Sequence, residues 1–88
     1  MKIDIIFTPT SWEQYQEWLI KDKRIYTKIF QLIKDIATNG PLDGIGKPEK
    51  LKGNDTFSRR INDEHRLVYK MSEEGNLIII SCMYHYEK

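Results

Sequence analysis

Cysteine is nearly absent from this sequence. Cys82 stands alone among strand-forming residues, so no internal disulfide can form, and a lone thiol fits a reducing cytoplasm. Long apolar runs are missing too. Leu77 to Ile80 is the longest, far short of the roughly 18 residues a membrane span needs, and it fits a buried strand. At the start, Met1-Lys2-Ile3-Asp4 breaks a short apolar stretch with an acidic residue, unlike a secretory signal. Charge of one sign is scarce: the net value is +1, far from the basic excess of a free-standing nucleic-acid binder. There is no Gly-rich phosphate loop, no Cys/His cluster at metal-ligand spacing, and no specific support for a Ser-His-Asp triad. These absences argue against metal- or nucleotide-dependent chemistry, and no cofactor is expected.

What is present suits one small domain over residues 1–88, with 40% hydrophobic and 31% charged residues. Lys2 to Phe7, rich in isoleucine, reads as a first strand. Thr8-Pro9 supplies a helix N-cap followed by a proline at the first helical position. Trp12, Tyr15 and Leu19, with Trp18 beside them, then recur at helical spacing. Asp22 can cap a second helix, whose Ile25, Ile29, Leu32, Ile33 and Ile36 form one stripe until Asn39-Gly40-Pro41 stops it. Leu42 to Pro48 is a loop. Strands follow at about Thr56 to Ile61, His65 to Met71 and Asn76 to Tyr84, joined by hairpin-length turns, with one short extra strand near Lys50-Leu51. The expected fold is α+β, in β-α-α-β-β-β order. A two-helix hairpin should cover one face of a mainly antiparallel sheet of four to five strands and leave the other partly open.

The local charge distribution is more telling than the total. Between Lys47 and Arg66 lie six basic residues and four acidic ones. Metal-free RNA cleavage needs a base for the 2′-hydroxyl, fixed cations at the phosphate and an acid for the leaving 5′-oxygen. Glu49 sits among Lys47, Lys50 and Lys52, cations that favour its ionised form. Arg59, Arg60 and Arg66 occupy two adjacent predicted strands, and arginine's planar fork matches phosphate oxygens. Alternation puts Arg59 and Arg60 on opposite faces, so both serve one pocket only if a bulge intervenes. His85, between Tyr84 and Tyr86, can exchange a proton near neutrality. His65 competes with it, and position alone does not choose.

Several runs are similar to one family. They are Trp12-Glu13-Gln14-Tyr15 with Asp22-Lys23-Arg24-Ile25, Leu32-Ile33-Lys34-Asp35-Ile36, and Gly44-Ile45-Gly46-Lys47-Pro48-Glu49. Ser58-Arg59-Arg60-Ile61, Glu64-His65-Arg66-Leu67-Val68-Tyr69 and the terminal Tyr84-His85-Tyr86 complete the set. In order and spacing they resemble the YoeB/Txe-type toxins of the RelE superfamily. The resemblance implies a microbial-ribonuclease type of fold and an endoribonuclease that cuts mRNA in the ribosomal A site, leaving a 2′,3′-cyclic phosphate. It implies Glu49 as general base, Arg66 as the phosphate-stabilising arginine, His85 as general acid and Tyr86 as a positioning group. By the same comparison Lys50, Lys52, Arg59 and Arg60 meet RNA or the ribosome, and His65 is structural. The implied partners are the ribosome with its mRNA and an acidic, partly disordered antitoxin of YefM/Axe type. Operator DNA is reached through the antitoxin complex, and a homodimer is compatible. Two other readings are a non-catalytic co-repressor and a same-fold toxin of DNA gyrase, a branch that generally lacks the base, arginine and acid set. Family members commonly stop at or just after the His-Tyr pair, whereas Glu87-Lys88 follow here.

Overall fold

A computed structural model describes residues 2–52 and 55–84. Its elements run β1 (Ile5–Phe7), α1 (Pro9–Lys21), α2 (Lys23–Asn39), β2 (Glu49–Lys50), β3 (Thr56–Arg60), β4 (Arg66–Met71) and β5 (Leu77–Ser81). The five strands form one sheet in the order β1-β5-β4-β3-β2. β2 to β5 are antiparallel neighbours, and β1 lies parallel to β5 along the far edge. The expected helix hairpin and mainly antiparallel sheet are both present.

The first strand is shorter than Lys2 to Phe7. The Asn76 side chain, not a strand carbonyl, takes the Asp4 N–H at 2.9 Å, and this ends the regular ladder. Helix α1 starts where expected: the Thr8 hydroxyl accepts the Ser11 N–H at 3.2 Å, a cap whose loss typically costs about 1 kcal/mol. Its buried face differs from the expected one. Ser11, Tyr15 and Trp18 face inward, while Trp12 and Leu19 stay about half exposed. The cause is long-range: Ser11 Oγ donates to Ile79 O at 2.8 Å and Thr8 Oγ1 donates to Ile80 O at 3.1 Å. These bonds stitch the start of α1 to β5 and set the helix's rotation.

Asp22 ends α1 and caps α2, accepting the Arg24 N–H at 3.0 Å. Helix α2 buries Ile29, Leu32, Ile33 and Ile36, with Ile25 half-buried beside them, as its periodicity predicts. Each fully buried aliphatic side chain contributes about 1.5–3 kcal/mol. They pack on Phe57, Leu67, Tyr69, Leu77 and Ile79 of the sheet. The alternate strand residues, among them Ser58, Arg60, Arg66, Val68, Lys70 and Ile78, therefore face away from the helices. In the middle of β4 the register to β5 shifts, so Val68 meets Ser81 while Tyr69 meets Ile79, and Ile80 is the bulged residue.

Candidate active site

The register gathers three of the sequence-predicted residues on the face away from the helices. Glu49 pairs with Ser58, and Ser58 with Val68, so these three form a row across β2, β3 and β4. Arg60 pairs directly with Arg66, one row along on the same face. Strand spacing and rise then put the Glu49 and Arg66 backbones about 12 Å apart.

Like charges opposite each other across two strands are unfavourable without an anion. Among the described residues neither Arg60 nor Arg66 has an ion-pair partner, and neither does Glu49. Arg66 is half-buried, and its Nη1 donates to Asn62 O at 2.8 Å and His65 O at 3.2 Å, carbonyls of the β3–β4 turn. The turn is itself built by the Asn62 side chain, which accepts the Glu64 and His65 N–H groups at 2.8 and 2.7 Å. A short polar turn thus holds the guanidinium at its own carbonyls, at the start of β4. Lys50 alternates to the other side of β2 and approaches Asp55 at 4.0 Å, while Lys52 is exposed just beyond the strand.

Arg59 is elsewhere. It was expected to meet RNA or the ribosome, but it is completely buried under α2. All five of its N–H donors are engaged: Nε to Tyr69 Oη, Nη1 to Asp35 and Ile45 O, Nη2 to Gly40 O and Asp43 O. The physical reason is that Asp35 and the carbonyls of the loop after α2 converge on it. The guanidinium beside Asp35 holds that carboxyl below the ordinary aspartate value. No sequence rule flagged Asp35, since it pairs across 24 residues.

His85 and Tyr86 lie outside the described residues, but the chain leading to them is well held. Trp18 Nε1 donates to Cys82 O at 2.9 Å, and Gln14 accepts the Cys82 N–H at 2.7 Å. Tyr84, with φ at 65°, donates its N–H to His65 Nδ1 at 2.8 Å and accepts the Arg66 N–H at 3.1 Å. His65 is buried edge-on against Trp18, at 4.8 Å between ring centroids. Cys82 is also buried, and desolvation pushes its thiol up to about 12. Among the described residues no group of three or more His, Cys, Asp or Glu could hold a metal ion.

A helix hairpin on a mixed sheet, with a carboxylate and two arginines on the open face, defines a small α+β protein with charged groups gathered on one side of its sheet. The chain is a member of the family of YoeB-like toxins of bacterial type II toxin-antitoxin systems, whose model it matches over residues 7–86. It is 50% identical over 86 residues to Toxin YoeB of Synechocystis sp., covering 96% of this chain and 98% of that one. Among solved structures it is similar to the YoeB dimer from Staphylococcus aureus, with a TM-score of 0.89 and 48% identity over 98% of this chain and all of that one. It also superposes on the toxin of the heterotetrameric YoeB-YefM complex from the same organism. There the TM-score is 0.87 at 46% identity, with 98% and 100% of the two chains covered.

Proposed function

We propose that this toxin is a ribosome-dependent endoribonuclease that cuts mRNA in the A site without a metal ion. In this reading Glu49 removes the 2′-hydroxyl proton, and the 2′-oxygen attacks the phosphorus in line with the departing 5′-oxygen. Arg66, seconded by Arg60, stabilises charge on the non-bridging oxygens. His85 protonates the leaving 5′-oxygen and Tyr86 positions the substrate, leaving a 2′,3′-cyclic phosphate. Base and acid each typically supply 10²–10⁴-fold.

The observation that carries the reading is the shared face of Glu49, Arg60 and Arg66, set by strand register. The tie from Tyr84 to Arg66 and His65 supports giving the acid role to the residue that follows Tyr84. Lys50 and Lys52 stand at the β2 rim, where they can meet ribosomal phosphates. The net charge of +1 suits a substrate presented by the ribosome better than free RNA. By analogy with the YoeB-YefM and YoeB-dimer structures, the partners are an acidic antitoxin and a second copy of the chain. The antitoxin complex binds operator DNA, and the protein works in the cytoplasm. Among the described residues no helix is long and apolar enough to cross a membrane.

Incubation with translating ribosomes, followed by mapping of mRNA 5′ ends, tests the proposal. Cuts within A-site codons are expected, and they should fall at least about 100-fold in Glu49→Gln and Arg66→Ala. Cleavage that persists in both variants would refute it.

A further inference from the structure

We propose that Arg59 is a positioning residue for Glu49: buried behind the sheet, it clasps the loop that delivers the carboxylate to the open face. This rests on the role assigned to Glu49 above. Strand β2 has two residues, Glu49 and Lys50, paired with Ser58 and Phe57, and just beyond them Leu51 N–H donates to Thr56 O at 2.8 Å. So short a ladder leaves the approach of the chain to be set by the preceding loop. That loop is gripped at several points. Arg59 binds the carbonyls of Gly40 at 2.9 Å, Asp43 at 2.7 Å and Ile45 at 2.9 Å. Tyr69 Oη, which accepts Arg59 Nε–H at 3.0 Å, donates to Pro41 O at 2.6 Å. Asp35 accepts the Ile45 N–H at 3.1 Å. One residue further, the Arg60 N–H donates to Gly46 O at 2.7 Å, which fastens the loop to β3 just before Lys47.

Chemistry and sterics both fit a purpose-built clasp. Five donors in a fixed plane meet acceptors on three different segments, α2, the loop after it and β4, which a lysine's three donors cannot reproduce. The loop fits closely around the grip. Gly44 has φ at 124°, and a Cβ there would run into the Asp35 carboxylate. Gly46 has φ at 83°, and a Cβ there would press on Leu32 and Arg59. Arg59 also adjoins Ser58, the strand partner of Glu49. A displacement of about 1 Å at a reacting group can cost 10²-fold, so looseness in this loop should appear in turnover before binding.

The test is a coupling measurement with the full chain on translating ribosomes, using Gly44→Ala and Tyr69→Phe, each alone and combined with Glu49→Gln. Tyr69→Phe keeps the test open should Gly44→Ala not fold. Each single variant is expected to lower kcat about 10–100-fold with KM little changed. In the Glu49→Gln background the same change should cost less than about threefold, because the group being positioned is already gone. Equal losses in both backgrounds, or no loss, would overturn the clasp while leaving Glu49 as base. Full activity of Glu49→Gln alone would instead remove the base assignment, and the clasp with it.

Discussion

His65 and Tyr84 are joined through their least conspicuous atoms: the tyrosine's main-chain N–H donates to the imidazole Nδ1 at 2.8 Å. An accepting Nδ1 places the ring hydrogen on Nε2. The bond therefore fixes the tautomer of a buried histidine and a left-handed backbone together. His65→Ala should lower stability by about 1–3 kcal/mol, through the orphaned N–H and the lost edge contact with Trp18. Urea unfolding measures this. His65→Asn, which can offer an acceptor oxygen near the same place, should recover part of the loss.

The facing pair Arg60 and Arg66 sets stability against function. Removing one of two like charges opposed across strands should stabilise the fold by about 0.2–1 kcal/mol. Arg60→Gln is therefore expected to raise the melting temperature at low salt, with the gain shrinking as salt screens the repulsion. The same variant should bind ribosomes more weakly. A protein both less stable and fully active would contradict this account.

Asp35 should mark the acid limit of the fold. Its carboxyl titrates below the ordinary aspartate value because Arg59 binds the ionised form. The resulting stability is complete above about pH 3.9 and is lost as pH falls through the lower folded value. Asp35→Asn should cost roughly 3 kcal/mol near neutrality, at the low end for a buried pair because Asp35 keeps some contact with water. Unfolding measured from pH 2 to 7 should show a shallower acid slope in this variant.

Cys82 should be inert in the folded protein. Burial raises its thiol to about 12, and the sulfur is enclosed near Ser11 O at 3.8 Å. A thiol-specific disulfide reagent at pH 8 should react only as fast as the chain opens, and at the free-thiol rate in denaturant. Rapid reaction in native buffer would show that the core around α1 and the end of β5 opens locally.

Much of the architecture is legible in local chemistry. Thr8 and Asp22 cap the helices because a side-chain oxygen can satisfy orphan N–H groups wherever a helix starts. The α2 stripe is readable because 3.6-residue periodicity carries its own signal. The face of α1 is not readable, since two large aromatics three residues from other apolar positions allow more than one rotation. Ser11 wins because Ile79 O is within reach of its hydroxyl.

The arginines show where sequence stops. Alternation alone put Arg59 and Arg60 on opposite faces, and the family pattern singled out Glu49, Arg66 and His85 from the chain as written. Which arginine was buried depended on where the helices packed, and on Asp35 and three loop carbonyls converging from 14 to 24 residues away. Only the tertiary structure brought those acceptors together, and only strand register set Arg60 opposite Arg66 in the row next to Glu49. Caps and periodicity act over one or two turns of chain, whereas a buried charge is placed by whichever distant dipoles meet it.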